Sequence, residues 1–108
     1  MSLLTPSDLN SLLNESKTNP NKLFVLDFKA VWCQPCKAIM PQLVQWSELY
    51  TTVQFYQIDV EDDEHQDTCE YFNVTAMPTF VFLKGGNVIN TICGAERELI
   101  LNTINQHK

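Results

Sequence analysis

The sequence predicts a single α/β domain, residues 1–108, whose sheet is covered by helices on both faces. Short apolar runs typical of buried strands alternate with segments of helical periodicity through the first half of the chain. The second half ends in two strand-like runs joined by a glycine turn, followed by one more helical segment. A length of 108 residues, 44% of them hydrophobic, is enough for one core without disulfide staples.

The first half of the chain contains two predicted helices and one buried strand. Asp8, two residues after Pro6, precedes leucines at helical spacing and is typical of a helix N-cap. The apolar run 23–28 predicts a strand, and the segment 36–50 predicts a long helix. Pro41 falls inside that helix and should kink it, because proline removes one backbone hydrogen bond.

The second half continues the same alternation. In order, it predicts a strand, a short acidic and mostly exposed helix, two further strands and a final helix, at residues 53–58, 59–70, 79–83, 87–93 and 99–104. Gly85 and Gly86 permit positive φ, so the last two strands should form an antiparallel hairpin.

Charge and composition narrow the function classes. The net charge of −6 argues against nucleic acid and anionic membranes, and favours protein partners with neutral or basic docking patches. No apolar run approaches the roughly 18 residues of a membrane span, and the N-terminal residues do not resemble a secretory signal. Four cysteines in such a chain fit the reducing cytoplasm.

The most informative stretch holds two cysteines, Cys33 and Cys36, placed between a predicted strand and a predicted helix. This spacing suits a reversible disulfide in which Cys33 is exposed and reactive and Cys36 closes the ring one turn later. A purely structural disulfide is the alternative, but so small a ring suits redox cycling better. We therefore predict redox chemistry here.

Half of a zinc site is a second alternative for this pair. Tetrahedral zinc usually takes another pair of Cys or His ligands at similar spacing. The remaining candidates are scattered singly, at His65, Cys69, Cys93 and His107. We therefore expect no metal and no cofactor other than the redox-active Cys33–Cys36 disulfide.

With these residues in place, the chain resembles the thioredoxin family, and its eukaryotic branch, over essentially its whole length. The residues that carry the resemblance are 25–28, Trp32-Cys33-x-Pro35-Cys36-Lys37, Pro41, Met77-Pro78-Thr79-Phe80, Lys84-x-Gly86 and Gly94-Ala95. The resemblance implies a central mixed sheet with helices on both faces. It also implies a protein disulfide reductase, acting in electron transport and cell redox homeostasis and recycled by an NADPH-linked thioredoxin reductase. We expect a cytoplasmic monomer.

The resemblance also assigns catalytic roles. Cys33, at a helix N-terminus, should be the attacking thiolate, because free backbone N–H groups and the helix dipole favour the anion. Cys36 should resolve the mixed disulfide. Asp27 should accept the proton of Cys36, since burial within an apolar strand raises a carboxyl pKa toward neutrality. The alternative for Asp27 is a solvated position at a strand edge.

Substrate binding is expected on an apolar surface around Cys33. In the family the proline equivalent to Pro78 is cis and faces the reactive cysteine, so we expect a cis Met77–Pro78 bond whose backbone pairs with an extended substrate. We call this surface the docking rim and predict that it consists of Trp32, Gln34, Pro35, Met77, Pro78, Gly94 and Ala95. Ordinary packing is the alternative for Trp32, whereas Trp46 is predicted to lie in the core.

Three positions depart from the family pattern. Gln34 stands where glycine is usual, which puts the reduction potential and the fit to the usual reductase in question. Lys29 replaces an aromatic residue or serine; it can lower a thiol pKa or be a solvated surface lysine. Gln57 replaces a bacterial lysine and so removes one influence on Asp27.

Two further cysteines are candidate regulatory sites. Cys93 precedes Gly94 and so should lie near the docking rim, where oxidation or a mixed disulfide would block substrates. A buried, inert strand cysteine is the alternative, and it applies equally to Cys69 in the acidic segment. His65 is predicted to be a solvated residue on an acidic face.

Two other functions remain as alternatives to a reductase. A disulfide oxidase or isomerase would follow if Gln34 raises the reduction potential. A thioredoxin-like adaptor would use the fold for binding alone, although Cys33, Cys36 and Asp27 are all present.

Overall fold

A four-stranded mixed sheet organises the computed structural model, which describes residues 3–108. In chain order the elements are α1 (Leu9–Thr18), β1 (Phe24–Lys29), α2 (Gln34–Leu49), β2 (Gln54–Asp59), α3 (Gln66–Tyr71), β3 (Thr79–Lys84), β4 (Asn87–Cys93) and α4 (Arg97–His107). The sheet order is β2-β1-β3-β4, with β1 parallel to β2 and antiparallel to β3, and β4 antiparallel to β3. The predicted fold class is confirmed.

The two faces of the sheet are covered by different helices. One face packs in a cluster with residues of α2 and α4 that includes Val25, Ile39, Leu43, Trp46, Phe80 and Ile100. The other packs in a cluster that includes Leu12, Leu26, Phe28, Phe72 and Val81. Because side chains alternate along a strand, Asp27 shares the face of Val25. Asp27 therefore points toward the face that α2 covers, and Trp46 lies in the core as predicted.

The start of α2 lies two residues earlier than predicted. Cys33 is the N-cap, with extended backbone, and proline occupies the first turn. Proline is favoured there because its missing N–H would have had no partner in the helix. The helix then continues through Pro41 to Leu49. Cys33 and Cys36 are thus both held by the first turn of α2.

The hairpin between β3 and β4 forms as predicted. Gly85 and Gly86 have φ of 61° and 79°, a conformation that side-chain-bearing residues rarely adopt. The N–H of Gly86 donates a hydrogen bond to the hydroxyl of Ser16 at 2.9 Å. The hairpin turn is therefore hydrogen-bonded to α1.

Two local features differ from the sequence-based expectation. Leu4 forms an isolated parallel bridge with Tyr56, so the segment before α1 extends the sheet beyond β2. The prediction that His65 is solvated is wrong: it is 3% exposed. A 3₁₀ turn, Asp63–His65, precedes α3 and turns this ring inward while the neighbouring carboxylates remain exposed. None of the helices within residues 3–108 is both long and apolar enough to cross a bilayer.

Candidate active site

The first turn of α2 holds a disulfide between Cys33 and Cys36, whose Cα atoms are 5.3 Å apart. The backbone N–H of Cys36 points at the Sγ of Cys33, at 3.3 Å. Cys33 thereby caps the helix with its sulfur, at the end where unpaired N–H groups and the helix dipole favour negative charge. After reduction, this geometry stabilises a thiolate on Cys33.

The expected exposure of Cys33 is corrected by the structure. Cys33 is 4% exposed and Cys36 is 2% exposed. The two cysteines and Ala30 form a small apolar cluster of their own, and Val60 and Met77 pack against it. These neighbours come from the loop after β1, the end of β2 and the loop before β3. Sequence spacing gives no sign of their approach.

Asp27 is buried in β1, as predicted, with 1% of its surface exposed. Within residues 3–108, neither carboxyl oxygen has a hydrogen-bond partner. Burial raises the pKa of Asp27 to about 7, and the positive charge of Lys29 opposes this rise. Asp27 is thus a buried ionisable group on the side of β1 that α2 covers, and near neutral pH its carboxyl exists in both protonation states.

Two neighbours of Asp27 in the sheet, Lys29 and Gln57, differ in what their side chains contact. Lys29 is only partly exposed and lines a cavity together with Cys36. It shares the strand face of Asp27 because the two residues are two positions apart in β1. Gln57 is the register partner of Asp27 on β2, but its amide donates to the carbonyl oxygen of Leu3 at 3.2 Å.

Most of the residues predicted for the docking rim are at least partly exposed. The Met77–Pro78 bond is cis, as predicted. The carbonyl oxygen of Pro78 accepts a hydrogen bond from the N–H of Gly94 at 2.8 Å, which brings the two loops of the rim together. Trp32 is 62% exposed, so it belongs to the surface and does not serve core packing. Gln34 and Pro35 are exposed, and Met77, Gly94 and Ala95 are partly exposed, but Pro78 is buried, which corrects its expected place on the surface.

Cys93 and Cys69 are both free thiols in different surroundings. Cys93 is exposed. Its register partner is Thr79, directly after Pro78, and its Sγ lies 3.9 Å from the Thr79 hydroxyl. Cys93 therefore borders the docking rim. Cys69 is half-buried in α3, and burial, followed by the charge of Asp67, raises the pKa of its thiol.

Sequence reasoning missed several residues of the site. Ala30 and Val60 pack around the disulfide, and Val31 and Lys37 line the cavity beside Cys36. Their side chains carry no chemical signature in the sequence, apart from the place of Lys37 directly after the second cysteine. Among the residues described, no three His, Cys, Asp or Glu side chains are grouped so that they could hold a metal ion.

Comparisons with known proteins agree with this geometry. Residues 3–106 match the family model described as Thioredoxin. Thioredoxin H5 of Arabidopsis thaliana is 45% identical over 94 residues, which cover 87% of this chain and 75% of the relative. An H-type thioredoxin of Brassica oleracea is 40% identical over 103 residues, covering 95% of this chain and 81% of the relative.

The whole fold is also similar to that of a solved structure. The X-ray structure of Fasciola hepatica thioredoxin superposes with a TM-score of 0.87 at 34% identity, and the match covers 100% of both chains. The family match spans nearly the whole sequence, and the two cysteines are joined in the first turn of α2. The chain therefore belongs to the thioredoxin family and is a protein disulfide reductase, a thiol-disulfide oxidoreductase whose redox pair is Cys33 and Cys36.

Proposed function

We propose that Cys33 attacks the disulfide of a polypeptide substrate, that Cys36 resolves the mixed disulfide, and that Asp27 accepts the proton of Cys36. The observation that carries the proposal is the cap interaction, in which the N–H of Cys36 points at the Sγ of Cys33. A sulfur at a helix N-terminus is the one whose thiolate the helix stabilises. Cys33 is thus the better nucleophile at neutral pH.

The first step breaks the substrate disulfide. The Cys33 thiolate bonds to one substrate sulfur, and the other substrate sulfur leaves as a thiolate and takes a proton from water. In the second step Cys36 loses its proton to the Asp27 carboxylate and attacks the Sγ of Cys33. The bond between Cys33 and the substrate breaks, and the second substrate sulfur leaves as a thiolate and takes a proton from water. Two electrons have passed to the substrate, and the Cys33–Cys36 disulfide remains.

Asp27 suits the role of proton acceptor because it lies on the α2 side of β1 and is almost wholly buried. A base works best when its pKa is close to the operating pH. Burial brings the pKa of Asp27 to about 7. A solvated carboxylate with an ordinary pKa would be a much weaker base toward a thiol.

The docking rim supports a polypeptide as the substrate. Trp32 offers a large exposed apolar surface beside the disulfide, and Met77, directly before the buried Pro78, is partly exposed and can meet an extended segment. We further propose that the oxidised protein is recycled by an NADPH-linked thioredoxin reductase and that it works as a cytoplasmic monomer. The free thiols of Cys69 and Cys93 suit a compartment that keeps cysteines reduced.

Trapping the mixed disulfide tests the division of roles between the cysteines. In Cys36→Ser, a disulfide-bearing peptide should accumulate as a stable adduct on Cys33, detected by mass spectrometry. In Cys33→Ser, which keeps Cys36, the adduct should form much more slowly than in Cys36→Ser. Faster adduct formation in Cys33→Ser than in Cys36→Ser would reverse the assignment. A coupled assay with NADPH and a thioredoxin reductase tests recycling, with Cys33→Ser as the blank.

A further inference from the structure

A cavity of about 310 Å³ adjoins the redox disulfide on the side of Cys36. It lies between the end of β1 with the loop that follows and the first turns of α2. We call it the lysine groove; it is lined by Lys29, Ala30, Val31, Cys36, Lys37 and Met40. The mechanism proposed above does not use this groove, although it touches one of the two redox cysteines.

The lysine groove combines apolar walls with two cationic groups. Val31 is 59% exposed, and Met40 is partly exposed. Within residues 3–108, neither Lys29 nor Lys37 forms a salt bridge. An unpaired ammonium group beside a partly apolar surface can bind a carboxylate whose methylene groups lie against that surface.

The positive charge of the lysine groove contrasts with the rest of the chain. The whole sequence has 7 lysines and arginines against 13 aspartates and glutamates, and two of the lysines lie here. Two acidic residues face Lys29 from the sheet: Asp27 on the same strand face and Asp59, its register partner on β2. Neither carboxylate is within salt-bridge distance of the Lys29 ammonium group. Both lysines are therefore free to bind an incoming anion.

We propose that the lysine groove binds an acidic side chain of the polypeptide substrate, located within about three residues of the substrate cysteine that Cys33 attacks. This inference rests on the proposed function and adds substrate selectivity to it. An extended chain advances about 3.3 Å per residue, so an acidic residue this near the cysteine reaches past Cys36 into the groove. The Cα atoms of Cys33 and Cys36 are 5.3 Å apart.

Charge complementarity favours this occupant over larger anions. Two lysines suit one or two carboxylates, while the net charge of −6 repels nucleic acids and anionic membranes. Electrostatic contacts of this kind contribute to selectivity more than to affinity. The groove should thus rank substrates by the charge near their cysteines without being required for turnover.

The test uses pairs of synthetic peptides, each with one disulfide, that differ only in Glu or Gln at a single position from −3 to +3 relative to the attacked cysteine. For each pair, the ratio of kcat/KM for the Glu peptide to that for the Gln peptide is measured. Any general effect of a lysine substitution on Asp27 or on the disulfide changes both peptides equally and cancels in this ratio.

The wild-type protein should prefer the Glu peptide roughly threefold to tenfold at one or more positions, because two partly exposed ion pairs each contribute modestly. The preference should fall toward one in Lys29→Gln/Lys37→Gln and persist in Lys29→Arg/Lys37→Arg. Lys22→Gln/Lys108→Gln makes the same change in net charge away from the groove and should keep the wild-type preference. Added salt should weaken the preference.

Other outcomes would overturn the inference. A wild-type ratio near one at every position, or a preference that survives Lys29→Gln/Lys37→Gln, would remove the groove from substrate selection. If the lysines affect the reduction of oxidised glutathione but not the peptide ratio, the groove serves a small anionic disulfide instead. A protein that reduces neither peptide would contradict the proposed function itself, which keeps the two failures distinct.

Discussion

Asp27 and Gln57 are register partners on adjacent parallel strands, yet the Gln57 amide turns away and donates to the carbonyl oxygen of Leu3. The carboxyl group of Asp27 is consequently buried with neither oxygen hydrogen-bonded within residues 3–108. Lys29 is then the charged side chain that opposes the effect of burial on this carboxyl. Burial therefore dominates the ionisation of Asp27, a cation on its own strand offsets part of that effect, and two of our predictions depend on this carboxyl.

Replacing Asp27 with Asn should slow disulfide reduction. The buried carboxylate can no longer take the proton of Cys36, and positioned general bases contribute roughly 10²-fold or more. In the wild type, turnover should rise with pH through about 7, where Asp27 ionises. The variant should lose that part of the profile, measured from pH 6 to 9. Asp63→Asn, at an exposed carboxylate, is the matched control. Equal turnover of Asp27→Asn and wild type across this range would remove Asp27 from the mechanism.

The same carboxyl should make folding stability depend on pH. Folding raises the pKa of Asp27 from 3.8 to about 7, so between these pH values the folded protein holds a proton that the unfolded chain releases. Stability should fall by roughly 4 kcal/mol as pH rises from 4 to 8 because of this residue. Asp27→Asn should remove most of that fall, measured by urea unfolding of the oxidised protein, while Asp63→Asn should keep it. A pH dependence identical in Asp27→Asn and wild type would show that the carboxyl is ionised normally.

Gln34 should have little effect on the reduction potential. Its side chain is exposed at the first position of α2, and within the described residues it makes no hydrogen bond that could favour one redox state. We expect Gln34→Gly to change the potential by less than about 30 mV. The reduction potentials of the wild type and of Gln34→Gly should both lie near the reference value for thioredoxin, about −270 mV.

Equilibration with glutathione measures both potentials. A wild-type potential above about −200 mV would move the assignment toward an oxidase or isomerase. A large difference between Gln34→Gly and wild type would show that this side chain acts on the cysteines directly. Circular dichroism of the two proteins checks that the substitution has not altered α2.

Cys93 should react with iodoacetamide faster than Cys69 does. Cys93 is exposed, whereas Cys69 is half-buried and the pKa of its thiol is raised. The thiolate is the reactive form, so the burial of Cys69 and its raised pKa both slow the labelling of Cys69. Labelling is followed by peptide mass spectrometry in Cys33→Ser/Cys36→Ser, with Cys93→Ser and Cys69→Ser added as controls. Equal or faster labelling of Cys69 would contradict this prediction and weaken Cys93 as the candidate regulatory thiol.

The sequence predicts the parts of the fold that depend on residues close to one another in the chain. The bounds of β4 and the positive φ of Gly85 and Gly86 follow from strand residues that flank a glycine turn. The start of α2 was misjudged because the sulfur of Cys33 replaces an ordinary capping oxygen. The bridge of Leu4 to Tyr56 gives no periodic signal, since a single residue forms it.

The sequence likewise predicts some residues of the site and misses the surroundings of others. Asp27 is visible because a polar residue interrupts an apolar strand, and Cys33 and Cys36 are visible by spacing. The burial of Cys33 depends on Val60 and Met77, which are distant in sequence. The cavity that Lys29 and Cys36 both line depends on how the loop after β1 packs against α2, which residue spacing does not reveal. The inward orientation of His65 depends on a single 3₁₀ turn that composition does not reveal.

The small cluster of Ala30, Cys33 and Cys36 shares no buried member with the two large apolar clusters on the faces of the sheet, although Val60 packs against both it and one of them. Bond making and breaking at the two sulfurs thus takes place outside the two clusters that hold the domain together. A protein that transfers electrons repeatedly benefits from this separation, because each cycle leaves the scaffold in place.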